Sequence, residues 1–257
     1  MFSVARALAI CTLLGGGLSP LSAMAQTWDG ETDGDYLTAT NWAGDVAPGP
    51  GDSAFLDDGG IANQPRLFVG DAATVNVVGV SAGRLTIEGN LSATSGVTIS
   101  GFGSIVLLPT GSISGDVQNG AMLGIFGGVV TGKFTQTVGG TLWLDVGNLA
   151  TIVGEANLAG TLAADLSRVV FDQPQLTFDL LWASSIAGDF ASLNLTGLSE
   201  RYSAATGIFK DTGGYVYRLT ATAVPEPESV TLFVAALLLL LGSKWRQSRV
   251  VTGRPVA

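Results

Sequence analysis

Short runs of β-branched and leucine residues, each closed by glycine or another turn residue, recur through the middle of this chain. With 36 glycines among 257 residues, few segments are long enough for a helix with a continuous apolar face. The runs start at roughly regular short intervals, which is typical of all-β proteins. They span residues 74–80, 85–87, 97–99, 105–108, 123–126, 141–146 and 158–162.

Two all-β architectures fit this pattern, a parallel β-solenoid and a β-sandwich. Very short strands with small residues at tight corners favour the solenoid, which we expect over residues 26–223. The ends of a solenoid expose unpaired backbone groups and an apolar cross-section, so both ends need caps. The bulky residues that we expect to form caps, with stacking on sugar rings as their alternative role, are Trp28, Trp42, Phe178, Trp182 and Phe190.

The composition excludes much of enzyme chemistry. The chain has no His and one Cys, so neither a Ser-His-Asp triad nor a histidine zinc site is available. Its net charge of -9 argues against a nucleic-acid partner, which needs a basic face. The acids of the middle region occur as isolated Asp residues, without the pair of carboxylates that glycoside hydrolysis requires. We therefore expect no enzymatic activity.

Residues 1–25 are typical of a signal peptide. Arg6 precedes an apolar run over 7–21. Ala23, Met24 and Ala25 then match the small-x-small pattern of a signal-peptide cleavage site. This order predicts export of the chain, with cleavage between Ala25 and Gln26.

Residues 224–257 contain a second targeting segment. An uncharged apolar run over 230–242 follows a proline-rich stretch, and every charged residue after it is basic. This order predicts one short transmembrane helix whose basic end stays in the cytoplasm. The prolines keep the stretch before the helix extended. The stretch consists of Pro225, Glu226 and Pro227, and the membrane stop consists of Lys244 and Arg246.

This C-terminal arrangement resembles the PEP-CTERM sorting signal of Gram-negative bacteria. The resemblance implies recognition and processing at Pro225, Glu226 and Pro227 by an exosortase-type enzyme. It also implies an inner-membrane anchor before processing, a later location at the cell surface or outside the cell, and exopolysaccharide as a partner.

Part of the middle region is similar to autotransporter-passenger β-helices. Residues 136–145 and 152–162 resemble their terminal coils, and residues 178–190 and 193–198 resemble their closing strands. The opening stretch, with Trp28, Trp42 and Pro48, is similar to the start of such passengers. The resemblance implies a β-helix.

Alternating carboxylates open the exported region. Their spacing is that of a calcium loop, but Thr40 stands where an EF-hand has its bidentate Glu. We expect a weak calcium site or a solvated acidic turn, and no other cofactor. The carboxylates are those of Asp29, Glu31, Asp33 and Asp35.

Together these features predict a non-catalytic surface or extracellular-matrix protein that associates with exopolysaccharide. Two alternatives remain open. One is an adhesin that binds a protein or glycan through a strand face, and the other is a polysaccharide lyase or hydrolase built on a β-helix.

Overall fold

The computed structural model describes residues 23–225 and 232–239. The described chain is mostly β-strand, and its strands coil into a parallel β-solenoid of about six turns. The solenoid prediction is therefore confirmed over the sandwich alternative. A three-residue 3-10 helix, Ala39–Asn41, interrupts the chain before the first full turn.

The strands, in chain order, are β1 (Ala25–Thr27), β2 (Ser53–Leu56), β3 (Arg66–Leu67), β4 (Ala72–Val75), β5 (Val77–Val80), β6 (Arg84–Ile87), β7 (Asn90–Ala93), β8 (Val97–Ile99), β9 (Ser104–Leu107), β10 (Ser112–Ser114) and β11 (Val117–Asn119). They continue with β12 (Met122–Ile125), β13 (Val129–Val130), β14 (Phe134–Gln136), β15 (Thr141–Asp145), β16 (Ala150–Leu158), β17 (Thr161–Asp165), β18 (Gln175–Gly188), β19 (Ser192–Thr196), β20 (Tyr202–Asp211) and β21 (Gly214–Ala223).

Each turn of the solenoid contributes one strand to each of three faces. One face stacks β2, β5, β8, β11 and β14, and a second stacks β4, β7, β10 and β13; the long strand β16 pairs with both β14 and β13 and joins the two faces. The third face is a separate seven-stranded sheet in the order β3, β6, β9, β12, β15, β17, β19. Neighbouring strands in these stacks are parallel and about 4.8 Å apart, so side chains of equivalent residues form ladders along the solenoid axis.

The interior ladders form the hydrophobic core. Alternate residues of a strand point inwards, so a short strand supplies one or two side chains to the core. Burying such apolar side chains contributes about 25 cal/mol per Å² removed from water. In the seven-stranded sheet, one completely buried ladder runs through Leu67, Ile87, Leu107, Ile125 and Leu144.

Another interior ladder is polar over two turns. Asn119 and Gln136 are register partners on β11 and β14, and both are buried. Asn119 Nδ2 donates to the carbonyl oxygen of Thr141 at 2.9 Å, and Gln136 Nε2 donates to those of Ala159 at 2.7 Å and Thr161 at 3.0 Å. The two amides thus supply donors to buried backbone groups at the corners of successive turns.

Tight corners divide two runs that the sequence pattern had predicted as single strands. The run over 74–80 turns a corner at Asn76, between β4 and β5. The run over 158–162 turns at Gly160, which has φ of +63° and packs so closely that a Cβ would lie 2.3 Å from the carbonyl oxygen of Gly140. Both runs therefore belong to two faces of the solenoid.

Aromatic residues cover the N-terminal end, as predicted. Trp28 and Trp42 are joined by an antiparallel bridge, and their ring centroids lie 5.1 Å apart in an edge-to-face arrangement. Tyr36, which the sequence pattern did not indicate, packs on Trp42 with ring centroids 5.0 Å apart. Its backbone carbonyl oxygen accepts a hydrogen bond from the indole N–H of Trp42. All three side chains are at most 2% exposed.

The C-terminal end is covered by antiparallel strands. The strand β18 pairs in parallel with β16 and antiparallel with β21, which in turn pairs with β20. Phe190 is buried edge-on against Tyr217, whose hydroxyl donates to Asp189 at 2.5 Å. Burial, together with that bond, raises the pKa of the Tyr217 hydroxyl. Phe178 and Trp182 are only partly buried in this cap.

The predicted membrane segment is described only over residues 232–239. Residues 232–239 are helical, and the described part of the chain contains no helix that is long and apolar enough to cross a membrane. The predicted span over 230–242 extends past the described residues at both ends. Residues 1–22 of the predicted signal peptide also lie outside them, as do Glu226, Pro227, Lys244 and Arg246.

Candidate functional site

The outer surface of the seven-stranded sheet carries a row of side chains whose size and polarity change along the solenoid axis. Because the strands are in register, one outward residue of each strand stands beside the next. Most members of the row are small or polar, and one is a tryptophan. In order, the row is Arg66, Thr86, Val106, Gly124, Trp143, Ala163 and Asn194.

Trp143 is exposed because its two neighbours in the row are small. Gly124 and Ala163 flank it in register on β12 and β17, and 39% of Trp143 remains accessible. The ring of Phe126 lies over Gly124, where a Cβ would come within 2.9 Å of it. The Phe126 and Trp143 centroids are 6.4 Å apart with a tilt of 64°, so the two rings form one aromatic corner.

Two carboxylates stand at the edge of this aromatic corner. Asp145 and Asp165 are register partners at the ends of β15 and β17. With Arg168 they line an open pocket of about 320 Å³ whose wall includes Phe126 and Trp143. This volume lies at the lower end of the range for small-molecule sites.

Local hydrogen bonds hold the two carboxylates of the pocket in place. The backbone N–H of Ser167 donates to Asp165 Oδ1 at 2.9 Å, and this bond lowers the pKa of the Asp165 carboxyl, with a smaller contribution from the positive charge of Arg168. A general acid near neutral pH needs the opposite shift. The side chain of Asn148 donates to Asp145 Oδ2 at 2.5 Å and fixes that carboxylate.

This arrangement has the parts of a sugar-binding site. An exposed indole face offers an apolar platform, while carboxylates accept hydrogen bonds from hydroxyl groups and a guanidinium donates them. The expectation that the acids of the middle region are isolated is wrong for Asp145 and Asp165, because the solenoid brings them together.

A sequence signal for this pair existed. The segments Thr-Leu-Trp-Leu-Asp at 141–145 and Thr-Leu-Ala-Ala-Asp at 161–165 repeat one another and align residue by residue in the structure. In a solenoid such a repeat, one turn apart, places equal positions side by side.

The acidic opening loop is organised by its own hydrogen bonds. Asp33 Oδ1 accepts from the backbone N–H of Asp35 at 2.8 Å and from the side chain of Asn41 at 2.6 Å, and these bonds lower the pKa of the Asp33 carboxyl. Asp35 Oδ1 in turn accepts from the backbone N–H of Leu37 at 2.9 Å. Asp29 Oδ1 is buried and lacks a hydrogen-bond partner within the described region.

The structure does not gather the proposed calcium ligands into one site. Over residues 23–225 and 232–239, no group of three or more Asp, Glu, His or Cys side chains is placed to hold a metal ion. Calcium binding by Asp29, Glu31, Asp33 and Asp35 therefore stays a prediction.

The predicted processing positions lie at the two ends of the β-structure. Ala25 and Gln26 belong to β1 and pair with Ser53 and Ala54 of β2. Pro225 follows β21, which ends at Ala223.

A further pocket, of about 340 Å³, lies on the face that contains β8, β11 and β14. Its one ammonium group, on Lys133, lies 3.3 Å from Glu155 Oε2, and the Lys133 backbone N–H donates to Asp116. The Lys133 ammonium is thus already paired, and the lining of this pocket includes no aromatic residue, so the seven-stranded sheet offers the better candidate site.

The fold and this face define the protein as a capped parallel β-solenoid with an aromatic and acidic pocket on one sheet. Comparison with protein-family models, with curated proteins and with solved structures finds no match to this chain.

Proposed function

We propose that this chain is a non-catalytic, exported surface or extracellular-matrix protein that binds exopolysaccharide through the outer face of its seven-stranded sheet. The observation that carries the proposal is the exposed Trp143 ring beside Asp145, Asp165 and Arg168 in one open pocket. A polysaccharide is an extended ligand, and a sheet face that continues over seven strands can contact several of its sugar units.

Sorting by an exosortase-type system is the second part of the proposal. It rests on the resemblance of residues 224–257 to the PEP-CTERM signal and on the signal-peptide pattern of residues 1–25. The chain would be held in the inner membrane, processed near Pro225, Glu226 and Pro227, and then displayed or released. The position of Pro225 just after β21 supports this order, because cleavage there would leave every strand intact.

A glycoside hydrolase is the alternative that one observation favours. Asp145 and Asp165 stand side by side on neighbouring strands, and glycoside hydrolysis uses a pair of carboxylates. The lowered pKa of Asp165 means that this carboxyl would be the base or nucleophile of such a reaction and not its proton donor.

The binding test compares the full chain, purified in mild detergent, with its Trp143→Ala variant on exopolysaccharide isolated from the producing bacterium. Truncating a central aromatic contact weakens binding by about tenfold, so we expect that loss in affinity electrophoresis. Tyr215→Ala removes an aromatic residue that is 37% exposed on the C-terminal sheet and is the matched control. Equal affinity of all three proteins would contradict the proposed site.

The same proteins distinguish binding from hydrolysis. We expect no new reducing ends after long incubation with the polysaccharide. Steady product formation that disappears in Asp145→Asn would replace the binding proposal with the hydrolase alternative.

A further inference from the structure

A second groove crosses the seven-stranded sheet nearer to its N-terminal end. Its volume is about 910 Å³, and Arg66, Arg84, Thr86, Phe102 and Ser104 are among its lining residues. An adjoining groove of about 460 Å³ shares Arg84, Phe102 and Ser104 and extends to later turns of the solenoid. The two grooves together form a trough, which we call the arginine trough.

The two arginines of the trough differ in their partners. Arg66 forms an ion pair with Glu88 and also lies over the ring of Phe68 at 5.1 Å. Arg84 is exposed, and its guanidinium makes no hydrogen bond or ion pair with any residue that the structure describes. The backbone N–H of Arg84 donates to Gln64 Oε1 at 2.6 Å and leaves the guanidinium uninvolved. The trough therefore contains a guanidinium that is free to bind an anion.

An aromatic ring stands beside this guanidinium. Phe102 is 95% exposed at a corner between Gly101 and Gly103. A Cβ at Gly103 would lie 2.2 Å from the carbonyl oxygen of Val80, so the corner is packed against the preceding turn. The backbone is thus held in place while the ring projects into solvent. The face of the Phe102 ring is therefore accessible for stacking on a ligand.

We propose that the arginine trough binds an acidic sugar unit of the exopolysaccharide, with the sugar carboxylate on Arg84 and the ring face on Phe102. This inference rests on the proposed function and names the class of polysaccharide as one that contains uronic acid. Charge complementarity supports it, because a chain with a net charge of -9 attracts an anion only where a cation is locally unpaired. Thr86, which lines the same groove, offers a hydroxyl that can bond to a sugar hydroxyl.

The position of the trough supports a polymeric ligand. The trough and the Trp143 pocket lie on the outer surface of one sheet, separated by only a few strands. At about 4.8 Å per strand, one polysaccharide chain can reach both.

The test measures binding of the full-length protein to polygalacturonate and to the same polymer after methyl esterification, which removes the charge and keeps the sugar backbone. We expect the wild-type protein to prefer the charged polymer by about fivefold at low ionic strength. Arg84→Gln should abolish that preference, and Phe102→Ser should weaken binding to both polymers. Lys210→Gln, which removes an exposed cation from β20, is the control and should keep the preference.

The failure of this inference is distinguishable from the failure of the proposed function. Equal binding of both polymers by the wild-type protein, no binding of either, or a preference that survives Arg84→Gln would overturn the inference. The proposed function would still stand if Trp143→Ala weakened binding to the isolated exopolysaccharide.

Discussion

The amides of Asn119 and Gln136 show how single residues hold the corners of the solenoid. Each side chain takes a place in an interior ladder and donates to backbone carbonyl groups of the following turn. A buried carbonyl without a donor costs about 1–3 kcal/mol, so these amides are structural rather than functional.

Replacing Gln136 with Leu should destabilise the protein strongly. The side chain would keep its approximate volume, but the carbonyl groups of Ala159 and Thr161 would lose their donor. We expect the free energy of unfolding to fall by about 3 kcal/mol in urea denaturation. Gln118→Leu, on the exposed side of the same face, is the matched control and should change stability by less than about 0.5 kcal/mol. Similar losses in both variants would show that the buried hydrogen bonds contribute little.

At the scale of elements, the sequence pattern predicted some strands and missed others, among them β2, β7 and β10. The strand β6 contributes Leu85 and Ile87 to the core and was recognised as an apolar run. The strand β10 reads Ser-Ile-Ser and contributes only Ile113, so its alternation is too short to stand out. Stacking on its neighbours β7 and β13, rather than local propensity, makes β10 a strand.

The N-terminal cap is the element whose loss should be most visible. Trp42→Ala would leave a cavity beside Trp28 and Tyr36 and expose the apolar end of the first turn. Such truncations of a buried aromatic cost about 3–5 kcal/mol, so we expect a large drop in melting temperature, together with self-association in size-exclusion chromatography.

Trp143→Ala is the matched control for the cap, because it removes the same side chain from an exposed position. We expect it to change the melting temperature by only a degree or two. If Trp42→Ala had the melting temperature of the wild-type protein and stayed monomeric, the capping role of Trp42 would be contradicted.

At the scale of the whole molecule, the fold was more predictable than the site. Glycine-punctuated runs and bulky terminal aromatics favoured a capped solenoid over a β-sandwich, because they reflect local rules of turns and burial. The pairing of Asp145 with Asp165, and the exposure of Trp143 between Gly124 and Ala163, depend on the number of residues in each turn. Turn length is set by corner geometry, which the pattern of apolar runs does not fix to within one residue.

The order of the chain also matters at this scale. The segments that resemble targeting signals flank the solenoid: the first ends at Ala25, the first residue of β1, and the second follows β21. Export, temporary anchoring and release can therefore proceed without disturbing the sheet that carries the proposed binding site.

Mass spectrometry of the extracellular polysaccharide fraction from producing cells tests the combined proposal of export, processing and polysaccharide association most directly. We expect peptides from residues 26–223 in that fraction, no peptides from residues 232–257, and a marked depletion of the protein from the fraction in cells that express Trp143→Ala. A chain that stays in the cytoplasm, or one that is released with its basic tail and without polysaccharide, would contradict the proposal.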